Sequence, residues 1–131
     1  MSIQVTTQTF GPRFSELVLH ELDPRYSRVT VRLKANSGAL PFGLVLARAA
    51  DGTYEPLREA AETLGDAALV LLQDAPDSAE PQTVLALRGY CIINDQRLAF
   101  DAGVTKKAEA IQALEDRGFV IRSIKEAEDA A

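Results

Sequence analysis

Residues 42–57 read Phe42-Gly43-Leu44-Val45-Leu46-Ala47-Arg48-Ala49-Ala50-Asp51-Gly52-Thr53-Tyr54-Glu55-Pro56-Leu57. The run from Phe42 to Arg48 is apolar almost throughout, without alternation, the pattern of a strand buried on both faces. Asp51-Gly52 is a tight-turn pair, because glycine tolerates the positive φ that such turns demand. The chain returns through Thr53–Leu57. Pro56, which offers no N–H to a ladder, marks the end or edge of that second strand. The segment predicts a β-hairpin and sets the character of the chain around it.

Toward the C-terminus, Arg58–Leu64 suggests a short helical turn, and Ala67–Leu72 is a second buried run. Residues 73–83 contain Pro76 and Pro81 with Asp74, Asp77 and Glu80, and predict an exposed, solvated acidic loop. Val84–Ile93 reads as one long strand with a bulge or bend at Gly89. Asn94-Asp95 turns the chain and Leu98-Ala99-Phe100 is a short apolar return. A helix is predicted over residues 105–117, with Thr105 as N-cap and Gly118 as the C′ residue that ends it. Its apolar stripe is Ala108, Ile111 and Leu114, with Ala110 beside it. Phe119-Val120-Ile121 returns as a strand, and residues 125–131 form a polar, frayed tail.

Toward the N-terminus, Asn36-Ser37-Gly38 is a turn cluster. Before it, Tyr26–Lys34 alternates: Val29, Val31 and Leu33 take one face, Arg28, Thr30, Arg32 and Lys34 the other. Ser15–Leu22 is ambiguous in period and is broken by Asp23-Pro24. Residues 2–10 are polar and rich in Thr and Gln, with little to bury, and are expected to be disordered in the free protein. The organisation predicted is an N-terminal arm over 1–36, flexible first and β at its end, a β-rich body over 37–124 and a tail over 125–131. With many short strands, one late helix and no βαβ alternation, the fold class is mainly β with a small α component, α+β.

The length, 131 residues, suits one domain. The net charge of −5 argues against nonspecific nucleic-acid binding, which needs clustered Lys and Arg against phosphates. No window is apolar enough to span a bilayer, and Met1–Phe10 has neither the basic patch nor the apolar run of a signal peptide, so no membrane association or leader is predicted. One cysteine, Cys91, leaves no intramolecular disulfide and suggests synthesis in a reducing compartment.

Catalytic chemistry has little to stand on. The single histidine, His20, beside Glu21, reads as a surface or interface residue. Cys91, between Tyr90 and Ile92, reads as a buried structural thiol. One His and one Cys cannot supply a zinc set, and Asp74, Asp77 and Glu80 lack the spacing and central glycine of a calcium loop. Ser37-Gly38 and Phe42-Gly43 are isolated glycines and make no phosphate cradle. Glu59 with Glu62, and Glu115 with Asp116, fall on faces that read as solvated. The expectation is a non-enzyme without cofactor or metal.

Several segments, in order, resemble the lambda-type bacteriophage head decoration family. They are Ser15-Glu16-Leu17-Val18-Leu19 with Glu21-Leu22-Asp23-Pro24-Arg25-Tyr26-Ser27-Arg28; Gly38-Ala39-Leu40 leading to Gly43–Arg48 and Tyr54-Glu55-Pro56-Leu57; Ala67–Asp74; Leu87-Arg88-Gly89 with Ile93-Asn94; and Leu98 through Gly103-Val104-Thr105 and Ala113-Leu114 to Gly118-Phe119-Val120-Ile121-Arg122. The resemblance implies a compact β-clip-like domain and a homotrimer. It implies attachment at threefold or quasi-threefold positions on the outer surface of an expanded virion capsid, after synthesis in the bacterial host cytoplasm. The family has no catalytic motif. It also implies that an N-terminal arm contacts the major capsid protein; as a physical hypothesis, the arm adds to an exposed capsid strand through backbone hydrogen bonds. The candidate capsid-binding residues are Val18, His20, Leu22, Tyr26 and Arg28. Val29, Val31 and Leu33 are assigned instead to the protein's own sheet. On this reading, removal of residues 1–14 leaves a folded trimer with weakened capsid binding. Two other readings remain at this stage: a β-rich interaction module of another assembly, and a clip-fold nucleotide hydrolase, whose recurrent Asp, Ser and Gly motifs are not found.

Overall fold

The computed structural model describes residues 11–60 and 63–123. The expected disordered segment, residues 2–10, and the expected frayed tail, residues 125–131, lie outside them.

The described residues open with a short helix, α1 (Gly11–Leu17), which passes directly into β1 (Val18–Glu21). Asp23 then caps a four-residue helix, α2 (Pro24–Ser27), its carboxylate accepting the Arg25 N–H and Pro24 occupying the first turn, where its missing donor costs nothing. The alternating stretch follows as β2 (Arg28–Leu33). The quoted hairpin is present as β3 (Val45–Arg48) and β4 (Tyr54–Pro56), antiparallel, with Leu46 opposite Pro56 and Arg48 opposite Tyr54. Next come β5 (Glu59–Ala60), β6 (Thr63–Leu64), β7 (Ala67–Leu71), β8 (Gln82–Leu87), β9 (Cys91–Asn94), a 3-10 turn (Asp95–Arg97), α3 (Lys107–Asp116) and β10 (Phe119–Arg122).

Five strands close into a barrel in the order β2-β4-β3-β7-β8, and three form a separate open sheet, β1-β9-β10. The architecture is therefore mainly β with a helix near the C-terminus, as the pattern predicted. The end of the predicted arm is a barrel strand: Arg28–Leu33 runs antiparallel to Gln82–Leu87 over six residue pairs. Val29 and Val31 pack against the barrel's apolar cluster and Leu33 is fully buried in it.

Two cores explain why the apolar runs do not alternate. One, inside the barrel, contains Leu33, Leu44, Leu46, Leu69, Leu71 and Val84. The other lies between the barrel, the open sheet and the helices, and contains Leu17, Val45, Val70, Leu87, Ile93, Leu114 and Phe119. Strands β3 and β7 send side chains into both. In β7 a bulge helps: Leu46 faces Leu69 but Ala47 faces Ala67, so Ala68 is the extra residue and joins Leu69 on the barrel side. Each buried leucine contributes about 1.5–3 kcal/mol, so β7, buried at all five positions, is a main apolar support of the fold.

Several expectations are corrected. Val84–Ile93 is two strands in two different sheets, separated at Arg88-Gly89-Tyr90, where Gly89 has φ +134° and Tyr90 φ +60°. Arg58–Leu64 is no helical turn, since Glu59–Ala60 and Thr63–Leu64 pair as a small hairpin. The acidic loop is more than solvated: Asp74 Oδ1 accepts the Phe42 N–H at 2.9 Å and Asp77 Oδ1 the Gly38 N–H at 3.0 Å, tying that loop to the approach of β3. In α3 the buried stripe is Ala110 and Leu114, while Ala108 is exposed. The helix lies against β7 and β10 together, which rotates its inward face away from the one read from spacing. Thr105 is not its N-cap, and its role is described below.

Candidate interaction surface

The open sheet has one face toward the core and one toward solvent. Cys91, Ile93 and Phe119 point inward and are buried. The alternate positions point outward, and register aligns them: His20 and Val120 both sit opposite Ile92, one on each side of β9. His20, Ile92 and Val120 therefore form one row across the three strands. A second row follows at the end of the sheet, where the Leu22 N–H donates to the Tyr90 carbonyl at 2.9 Å and the Tyr90 N–H to the Gly118 carbonyl at 3.0 Å. These residues line a shallow groove of about 320 Å³.

The groove is apolar because of a bulge. Val18 faces Ile93 but His20 faces Ile92, so Leu19 is the extra residue in β1. Val18 consequently turns into the core and Leu19 and His20 turn out. All five of the large hydrophobic residues exposed among those described lie on or beside this sheet. They are Leu19 in the bulge, Leu22 (75% exposed), Tyr26 on α2 (57%), Tyr90 (50%) and Val120 (52%). Of these, Leu22, Tyr90 and Val120 line the same groove, and exposed apolar side chains gathered in this way mark a contact site more often than scattered ones do.

The five candidate residues thus divide. His20 and Leu22 line the groove, while Tyr26 is exposed on α2 and is not among the groove's lining residues. Val18 is only 6% exposed and belongs to the core, so it is corrected from contact residue to packing residue. Its inward direction follows from the bulge, which spacing alone does not reveal. Arg28 forms the hinge between sheet and barrel: its Nε and Nη2 donate to the two Glu21 carboxylate oxygens at 2.8 and 2.6 Å. Its guanidinium also lies 5.0 Å from the centre of the Phe14 ring. The hydroxyl of buried Ser27 donates to the same carboxylate. The Arg28 hydrogen bonds hold Glu21 below the usual carboxylate range, outweighing the opposing effect of burial. This pair fixes β1, and with it His20 and Leu22, to the start of the barrel.

Sequence reasoning missed Tyr90, Ile92 and Val120. The alternation Phe119-Val120-Ile121 carried a signal for Val120, since flanking residues that turn inward force it outward. Tyr90 and Ile92 carried none, because the assumed continuous strand from 84 to 93 hid the change of sheet.

A second cleft, about 420 Å³, adjoins the groove at Tyr90 and is lined by Val29, Val31, Tyr54, Arg88 and Arg117. Arg88 is anchored by its Nε donating to the Tyr26 carbonyl at 2.6 Å, and Arg117 by its Nε donating to the Ala67 carbonyl at 3.0 Å. Arg117 is also paired with Asp66 at 2.9 Å.

The described lining of the groove is mostly apolar. His20 stands on an apolar face, and burial pushes the Cys91 thiol up to about 12, with Glu21 adding to the effect. A thiol so held is no nucleophile at neutral pH. Among the described residues no group of three His, Cys, Asp or Glu side chains is placed to hold a metal ion. No described helix is long and apolar enough to cross a membrane. No curated protein matches the chain. The family model for the bacteriophage lambda head decoration protein D, however, matches residues 7–119, which take in α1, the barrel, the open sheet up to the start of β10 and α3. The chain belongs to the lambda head decoration protein D family.

Proposed function

We propose that this protein assembles as a homotrimer at threefold sites on the outer surface of an expanded phage head, binds the major capsid protein and reinforces the shell against the pressure of packaged DNA. The family match over residues 7–119 carries the reading; the family's role is decoration of the phage capsid, a structural one. The protein makes and breaks no covalent bond in this role. Its net charge of −5 suits an outer surface, away from the nucleic acid.

The contact residues are His20, Leu22, Tyr26 and Arg28, joined by Tyr90 and Val120, which share their face. Burying the apolar row gives the affinity, and the Glu21–Arg28 pair keeps the row in place. The N-terminal segment adds backbone pairing to a capsid strand, each such contact modest because ordering the segment costs entropy. A closed threefold ring presents three contacts at once, so the second and third form at high effective concentration.

The test is sedimentation with expanded heads, alongside light scattering of the free protein. Removing residues 1–14 would take away part of α1, including Phe14, which packs on the core, so the clean truncation ends at residue 10. Both that truncation and Leu22→Glu are expected to lower capsid occupancy at least about tenfold, a loss of ~1.4 kcal/mol or more. Melting temperature should stay within a few degrees of the parent, because Leu22 is a surface residue. Undiminished occupancy by both variants overturns the assignment of these contacts.

A further inference from the structure

One seam of the barrel is closed by a single residue pair. β2 and β4 run parallel and meet only where Leu33 faces Tyr54. β4 begins at Tyr54, so the earlier part of β2, from Arg28 to Arg32, has no strand beside it on that side among those described. Register shows which backbone groups face the gap. The Arg88 N–H donates to the Ser27 carbonyl at 2.8 Å, in line with the pairing of β2 and β8. Val29, Val31 and Leu33 therefore turn their N–H and C=O groups toward β8, and Thr30, Arg32 and Lys34 turn theirs away from it. The Lys34 N–H follows that direction to the Tyr54 carbonyl at 2.8 Å. The N–H groups of Thr30 and Arg32 point the same way, and no described strand receives them.

Edge strands are commonly guarded by a proline, a bulge or charge. β2 has no proline, and its register with β8 is unbroken over six pairs. What it carries is positive charge: its outward side chains are Arg28, Thr30 and Arg32, with no acid in the strand. Glu21 engages Arg28, but Arg32 is exposed and has no ion pair among the described residues. On the inward side, the gap opens into the cleft of about 420 Å³. Half-buried Val29 and Val31, with Tyr54 and Leu69, make its lining apolar, while Arg88 adds a cation and no acid lines it. Arg117 is balanced by Asp66. Arg88 has no ion pair among the described residues, and beyond its Nε bond to Tyr26 its N–H groups stay available. Positive charge around an apolar cleft stands out in a chain of net charge −5.

We infer that this gap is a docking site for one extended strand of a partner polypeptide, apolar on alternate residues and acidic on those between. The strand's backbone accepts the Thr30 and Arg32 N–H groups as an added neighbour of β2. Its alternation follows from the pleat: apolar side chains turn inward over Val29, Val31 and Leu69, and carboxylates turn outward beside Arg32 or reach Arg88 at the cleft. The site is separate from the groove on the open sheet and does not rest on the decoration role.

The test is nuclear magnetic resonance of the full-length protein titrated with the peptide acetyl-Val-Glu-Val-Glu-Val-amide. The Thr30 and Arg32 amides are expected to shift and, at saturation, to exchange at least about fivefold more slowly, with the barrel amide of Leu71 unmoved. The lysine analogue, acetyl-Val-Lys-Val-Lys-Val-amide, is expected to bind at least about tenfold more weakly. Arg32→Gln, at an exposed side chain with no partner to lose, should weaken binding of the glutamate peptide about threefold without lowering stability. No change at Thr30 and Arg32 in millimolar peptide overturns the proposal, as does equal binding of the two peptides. Shifts confined to Leu22, Ile92 and Val120 place the peptide in the groove and overturn it too. Slow exchange of Thr30 and Arg32 before peptide is added also overturns it, because the edge is then already covered by the chain itself or by a second copy.

Discussion

Gly89 makes the change of sheet possible. A Cβ there would lie 2.7 Å from the Arg117 carbonyl oxygen, and its φ of +134° is a conformation that L side chains rarely adopt. Gly89→Ala is therefore expected to destabilise the protein by about 2–4 kcal/mol, read from the midpoint of urea denaturation. An unchanged midpoint would show that the crossing relaxes freely. Two residues on, Cys91 behaves as a small hydrophobe, with its thiol pushed up to about 12 mainly by burial. Native protein should resist alkylation at pH 8 and react fully once unfolded. The sign of the pH dependence follows. Starting from an unfolded value near 9.0, the unfolded chain loses this proton first, so stability falls as pH rises from about 9 to about 12. The bend at Gly89 was legible, because a glycine inside a strand pattern has few other meanings. The buried thiol was legible from its apolar neighbours.

At the scale of elements, α3 shows how a helix can be predicted and its cap missed. Thr105 and Lys106 donate their N–H groups to Glu59 Oε1 at 2.8 and 3.1 Å, and the Thr105 hydroxyl donates to Oε2 at 2.9 Å. A carboxylate from the β5–β6 hairpin thus satisfies donors at the helix start and complements its dipole. Hydrogen bonds from the Thr105 backbone, ahead of those from Lys106, hold Glu59 below its ordinary range. Glu59→Ala is expected to lower the melting temperature and to speed amide exchange at Thr105 and Lys106, leaving the barrel amides unchanged. In the parent, acidification should weaken the same cap, because stability from a depressed carboxyl is present above its unfolded value and is lost as pH falls through the folded one. Thr105 carries the local signature of an N-cap, but the oxygen that accepts comes from 46 residues away in sequence, and no local pattern encodes that. The helix face shifted for a related reason: β7 and β10 together decide which side of α3 is covered.

Across the whole molecule, the two cores share β3 and β7, so neither can melt while the other keeps its walls. Urea unfolding followed by far-ultraviolet circular dichroism and by tyrosine fluorescence should give one coincident transition; separated midpoints would show that barrel and open sheet unfold independently. The mainly β class, the hairpin at residues 42–57, the strand at Arg28–Leu33 and the late helix were determined by the sequence itself, because hydrophobic period and turn chemistry are local; that this strand closes a barrel was not. The separation of Val84–Ile93 into two sheets, the bulge that turns Val18 inward, and the gathering of His20, Leu22, Tyr90 and Val120 around one groove were decided only by tertiary structure. Strand partners far apart in the chain set the register, and a one-residue shift reverses which side chains meet solvent.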